Sequence, residues 1–343
     1  MFKAQCSKLN AQCSKFNISS ISTYRSELMG WSIIWIMMLH FRFENISQIG
    51  FIAQYGFTGV DIFLLVSGLG LYYSLDKDSR LLSFYRKRLL RIFPTYYLLG
   101  IFASLLLFHD GILSYLFRYT TIGYWTGGIF WEWYVPSIVV LYLAAPFLKM
   151  LFDKGLAWLI GVLAIVILCV SCYLVATEAF QPKDQHFFFI YRIPAFLFGM
   201  LCGYWLKNGI QATKYFYIIM LAGIPLFALL LPHHHQVYNY KYFALTFIMP
   251  FFVWCICLVS RWLKHINPLM RLIGNASLEI YLIQCIFFHA INIGLIPVSN
   301  QWHDAVTVGL ILLCSLLGIA AHWAIDKSGI NRFPRVKNSG GKA

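Results

Sequence analysis

Apolar residues in this chain come in long unbroken runs, and polar residues are confined to the short stretches between them. About 20 apolar residues suffice for a helix to cross a hydrocarbon core. Ten such runs stand out, near residues 27–43, 56–75, 92–109, 131–150, 156–176, 190–206, 215–231, 242–260, 272–291 and 304–325. They are too long and continuous for the alternating segments of a membrane β-barrel. The pattern predicts an all-α, polytopic transmembrane helical bundle of about ten spans, with both termini cytoplasmic. Residues 1–25 read as a disordered cytoplasmic tail, 26–326 as one transmembrane domain and 327–343 as a cytoplasmic C-terminal tail. The first tail holds a small duplication, residues 4–10 and 11–17, too short for a repeat architecture.

Composition agrees with this pattern. Hydrophobic residues make up 60% of the 343 and charged residues only 12%, about half the share of a soluble domain. The mean hydropathy is +0.69. A net charge of +14 invites a nucleic-acid reading, but its distribution argues otherwise. With the N-terminus inside, only Arg42, Arg118, Lys183, Arg192 and Lys241 of the 27 Lys and Arg fall on the outer side. That is the positive-inside bias of a multi-pass protein of the cell (inner or plasma) membrane. It implies membrane lipids as partners and no nucleic acid. The nine Cys are odd in number and mostly lie in apolar runs, which argues against a disulfide framework. Cys255-Ile-Cys257 lacks a second ligand pair, and the adjacent His233, His234 and His235 point in different directions on a loop, so no metal is expected.

The stretch from Gly56 to Tyr97 concentrates the candidate chemistry. Its apolar run carries one acid, Asp61, and an acid inside a span is costly. A basic knot follows: Arg86, Lys87, Arg88 and Arg91. Arg88 and Arg91 are an i, i+3 pair on one helical face, and two guanidinium forks at that spacing can grip a phosphate. The plainer reading is stop-transfer charge against anionic lipid. His40 closes the first span near its outer end. It reads either as a general base or as an interfacial imidazole reaching for headgroups. Asp61, entering from the same side, lies at a similar depth. It can fix the tautomer of His40, pair with Arg42 or cap a helix start. Arg192 breaks the charge bias at the outer side and calls for an inward partner, a carboxylate or a substrate. Glu279 is a second intramembrane acid, in a segment that continues to Tyr281 and Gln284, whereas Glu132 between two tryptophans reads as interfacial.

Together these stretches resemble the acyltransferase 3 family of integral membrane acyltransferases. Four segments carry the resemblance: His40 closing the first span; Gly-Val-Asp-Ile-Phe-Leu-Leu-Val-Ser-Gly at 59–68; Phe-Tyr-Arg-Lys-Arg-Leu-Leu-Arg-Ile-Phe-Pro at 84–94; and Gly-Asn-Ala-Ser-Leu-Glu-Ile-Tyr-Leu-Ile at 274–283. The resemblance implies a ten-span fold with acetyl-CoA or another acyl-CoA as cytoplasmic donor. It implies a hydroxyl of an envelope or exported glycan, or a lipid-linked saccharide, as acceptor, and hence O-acetylation as polysaccharide modification. The family's essential histidine falls on His40, its acid on Asp61 and its Arg-x-x-Arg element on Arg88 and Arg91, helped by Arg86 and Lys87. Arg192, Glu279 and Tyr281 then become candidate substrate-binding residues. Two departures stand out. Many members carry an Arg eleven residues before the histidine, where this chain has Met29 and its nearest basic residue is Arg25. The last motif often continues to a His where this chain has Gln284. Two other functions fit the same residues: a proton-coupled transporter or flippase using His40, Asp61 and Glu279, and a catalytically silent partner in glycan assembly.

Overall fold

A computed structural model describes residues 17–78, 80–109, 111–126, 132–176, 185–210, 213–230, 238–297 and 302–330. Most of the first tail, the histidine triplet and the end of the second tail lie outside the described residues. The described residues are helical, with no strand. In chain order the helices are α1 (Ser19–Thr23), α2 (Arg25–Phe41), α3 (Ser47–Ala53), α4 (Thr58–Lys77), α5 (Leu81–Ala103), α6 (Ile112–Tyr119), α7 (Ile122–Trp125) and α8 (Tyr134–Asp153). They continue with α9 (Ala157–Ala176), α10 (Gln185–Ile190), α11 (Ile193–Lys207), α12 (Thr213–Leu230), α13 (Tyr238–Trp262), α14 (Asn267–Asn275), α15 (Ser277–Asn292) and α16 (His303–Ser328).

Every predicted apolar run contains a helix. By length and composition, five segments can cross a membrane: Ser47–Lys77, Leu81–Phe108, Tyr134–Asp153, Phe188–Lys207 and His303–Ser328. The pair α14 and α15, bent by 71° at its junction, makes a sixth if taken as one span. Two boundaries differ from the sequence reading. The basic knot is not in a turn, because α5 already begins at Leu81 and the connection from α4 is only three residues long. Residues 272–291 are not one straight helix but straddle the bend at Ala276.

Glycines let the central helices approach backbone to backbone, as small residues do in membrane bundles. The motif at 59–68 has one at each end. Gly59 lies against Ser32 and Ile36 of α2, and Gly68 against the backbone of Phe196 in α11. Gly199 answers from α11, lying against Leu65. The motif thus seats α4 between two neighbours with no room for a side chain. Gly30 and Gly274 do the same for α2 and α14. Across that contact the buried Glu27 accepts a hydrogen bond from Arg271 Nε at 2.6 Å.

Candidate functional site

A cavity of about 320 Å³ opens among α2, α4, α5, α8 and the α14–α15 bend. One end is cationic: Arg25, Lys87, Arg88 and Arg91 line it, together with Ser26, Asn275 and Ser277. The wall then becomes apolar through Met29, Ile33, Ile36, Val60, Phe63 and Ile138, with the hydroxyls of Ser67, Tyr134, Tyr142 and Tyr281 among them. Among the described residues, no acid belongs to the lining.

Helical periodicity explains the convergence. Arg88, Arg91 and Ile92 share one face of α5. Arg86 lies off that face, exposed and outside the lining. Lys87 reaches the rim but is held at 3.2 Å by Asp78, which also binds Arg80 and Ser83. Those partners hold the Asp78 carboxyl well below the usual carboxylate range, the Arg80 contact contributing most. On α2, Arg25 and Met29 are i, i+4 and both face the cavity. Arg25 therefore places a guanidinium in the cavity, one turn before Met29 on the same face. The sequence marked Arg25 as the nearest base, and the i, i+4 spacing was the available signal that it shares the site.

The bend between α14 and α15 completes this end. Ser26 Oγ donates to Asn275 Oδ1 at 3.0 Å, and Arg91 reaches the Asn275 carbonyl at 3.5 Å. No side chain caps α15, whose first residues Ser277 and Leu278 are in the cavity wall. The positive end of its dipole therefore adds to the four cations. Asn275 and Ser26 were not singled out by sequence reasoning, because nothing in the spacing reveals the bend.

His40 lies past the other end of the cavity. Ile36 is the last α2 residue in the wall, and His40 follows it by four residues, about 6 Å along the helix. The imidazole stacks on Phe288 with ring centroids 4.8 Å apart. Gln284, one turn before Phe288 on α15, is completely buried beside it. The chain just beyond His40 is pinned by α16. Asp304 accepts backbone N–H groups from Glu44, Asn45 and Ile46, and Thr307 donates to the carbonyls of Phe41 and Arg42. These contacts hold Arg42 at a positive φ of 59°, an uncommon backbone for a non-glycine.

Asp61 is not hydrogen-bonded to His40, nor to Arg42. It accepts a hydrogen bond from Arg192 Nη1 at 3.0 Å, and the same nitrogen reaches the Phe57 carbonyl at 2.8 Å. Both side chains are 2% exposed. The guanidinium lies over the rings of Tyr191, Trp133 and Phe57. Arg192 thus has the inward carboxylate its position called for, and the pair ties α4 to the start of α11. Glu279 points away from the cavity. Its Oε1 accepts from Thr95 at 3.4 Å and lies 3.2 Å from His322 Nδ1. Tyr281 does line the cavity and accepts the Tyr134 N–H at 3.3 Å. The nine residues expected at the site therefore divide. Lys87, Arg88, Arg91 and Tyr281 share the cavity, His40 lies just past it, and Arg86, Asp61, Arg192 and Glu279 lie outside.

A helical chain with several membrane-capable helices around a cation-lined cavity has the architecture of a membrane protein, and transferases and transporters both use it. The family comparison selects between them. The chain belongs to the acyltransferase 3 family, whose acyltransferase-domain model matches residues 28–324, nearly the whole chain. It is a membrane acyltransferase by family. No curated protein and no solved structure matches it.

Proposed function

We propose that the protein transfers an acetyl or other short acyl group from cytoplasmic acyl-CoA to a hydroxyl of an envelope or exported glycan. The observation that carries this reading is the polarity of the cavity. Four cations stand at one end, three of them without an ion-pair partner among the described residues, and an apolar channel leads from them to within one helical turn of His40. A coenzyme thioester has the same polarity, with phosphates at one end and the reactive carbonyl at the other. Arg25, Arg88 and Arg91, with Lys87, take the phosphates through charge-assisted hydrogen bonds. The thioester arm lies along α2 between Ile33 and Val60 and presents its carbonyl near His40. His40 takes the proton of the acceptor hydroxyl, and the oxygen attacks the carbonyl. The C–S bond breaks, and the imidazolium returns the proton to the thiolate, releasing free CoA. The apolar walls exclude water, which limits thioester hydrolysis. In this reading the chain crosses the cell membrane ten times with both termini inside, so that the cationic end faces the cytoplasm. Asp61 and Arg192 act as a structural clamp rather than as the partner of the base.

The test uses the full-length protein in nanodiscs, with acetyl-CoA binding and CoA release measured separately. The wild type binds and turns over acetyl-CoA. His40→Ala binds it with unchanged affinity and loses turnover by on the order of 1,000-fold. Arg88→Ala/Arg91→Ala loses binding. Absence of CoA binding by folded wild type would sink the proposal and favour a transporter or a silent assembly partner.

A further inference from the structure

We propose that Gln284 positions the His40 imidazole, its carboxamide oxygen accepting the Nδ1 proton so that Nε2 faces the acceptor hydroxyl. This deepens the acyl-transfer reading and rests on it. Three observations carry it. First, Gln284 is 0% exposed and neither amide atom has a hydrogen-bond partner among the described residues. A buried carboxamide with two unpaired atoms is costly and rare, and calls for a use. Second, His40 Nδ1 is enclosed and also unpartnered, whereas Nε2 is not enclosed. Gln284 lies one turn before Phe288, whose ring stacks on the imidazole, so the carboxamide and the ring are neighbours with no hydrogen bond formed between them. Catalytic hydrogen bonds often tighten only when the substrate arrives. Third, the acid expected to orient His40 is spoken for, since Asp61 is hydrogen-bonded to Arg192.

The topology makes the arrangement continuous with the cavity. Leu278 and Tyr281 of α15 are in its wall, Gln284 follows at i+3, and Phe288 one turn on stacks against the imidazole. On α2, Ile33 and Ile36 lead to His40 in the same way. The two facing helices therefore bring an amide and an imidazole together where the channel ends. A neutral orienter has a chemical consequence. It fixes the tautomer without the charge that stabilises an imidazolium, so the proton is held loosely and passes readily to the departing thiolate.

Acetyl-CoA hydrolysis by the purified full chain in nanodiscs is the first readout. Here water is the acceptor: its proton goes to His40, its oxygen to the acyl carbon, and the proton then to the thiolate. Gln284→Met keeps the volume and removes the acceptor oxygen, whereas Gln284→Glu keeps an acceptor. The expected result is a fall in kcat on the order of 100-fold for Gln284→Met, with KM for acetyl-CoA and its binding unchanged. Thermal stability is unchanged or raised, and Gln284→Glu recovers most of the loss. A structural role would instead lower stability and donor binding together. Wild-type kcat in Gln284→Met, or Gln284→Glu no better than Gln284→Met, overturns the proposal. Ring-15N NMR of histidine, with His40 assigned from the His40→Ala difference, reads the tautomer independently of turnover. A fixed Nδ1–H form in wild type that becomes mixed in Gln284→Met supports positioning, and no change overturns it. Failure of wild type to bind acetyl-CoA strikes the acyl-transfer reading alone, because the NMR result still decides the positioning.

Discussion

The two ends of the central cavity treat charge in opposite ways. At the His40 end, each buried charge that shapes the site is answered by the protein: Asp61 by Arg192, and Asp304 by three backbone N–H groups. At the cationic end, the surrounding charges are also answered. Asp76 pairs with Lys149 and Lys207, and Glu27 with Arg271. The arginines that face the cavity are the exception. Arg25, Arg88 and Arg91 have no ion-pair partner among the described residues, and Arg88 Nε is enclosed without one. Like charges held together repel, so such a cluster is stable when a ligand brings the counter-charge. In the proposed reading one end is completed by the donor's phosphates, whereas at the other end Asp61 and Asp304 already have their partners within the protein.

The largest effect that separates the ends comes from breaking the Asp61–Arg192 pair. Arg192→Met leaves a carboxylate buried without a partner, which costs about 3–5 kcal/mol. Denaturant or thermal unfolding in detergent reads this directly. Asp61→Leu/Arg192→Met removes both charges and recovers most of the loss, because replacing a buried pair by apolar groups is often close to neutral. If Arg192→Met instead kept full stability and lost only turnover, the pair would belong to the chemistry.

A smaller effect sharpens the cationic end. Arg25→Ala removes one charge-assisted contact, and such contacts are worth about 1.5–3 kcal/mol. Acetyl-CoA affinity then falls roughly tenfold or more while turnover at saturating donor holds. Adding Met29→Arg to Arg25→Ala restores binding, because both positions face the same cavity one turn apart. Failure of this rescue, measured by titration calorimetry in nanodiscs, would show that Arg25 acts elsewhere.

Much of this was legible in the sequence, for reasons that also mark its limit. The apolar runs located a helix each time, because chain entry into hydrocarbon is governed by local composition. The knot at Arg88 and Arg91 was legible because i, i+3 spacing is a property of one helix. Partner choice was not. His40, Arg42 and Arg192 were all chemically suited to Asp61, and only packing between helices selects among them. Gly68 and Gly199 make that selection by pressing α4 against α11, which brings Asp61 to Arg192. The bend at Ala276 was hidden because residues 272–291 are apolar on both sides of it. The role of Arg25 was half legible, since its spacing from Met29 places both on one face but says nothing of what that face meets.

The smallest expected effect lies at the rim. Asp78 is accessible, and its carboxylate is shared by Arg80, Ser83 and Lys87. Among the described residues Lys87 is thus the one cation of the cavity with an acidic partner, and in the proposed reading it exchanges that partner for a phosphate. Asp78→Asn releases it. Exposed pairs are worth little, at most about 1 kcal/mol, so acetyl-CoA affinity rises only about two- to threefold, and less in high salt. The sign with pH follows from the lowered carboxyl: the pairing is intact above the ordinary carboxylate range and is lost only as pH falls through the lowered value. Across neutral pH the wild type and Asp78→Asn should therefore differ by a constant ratio in donor affinity, measured by titration at several pH values. A ratio that changed with pH near neutrality would mean that another group, not Asp78, holds Lys87 from the ligand.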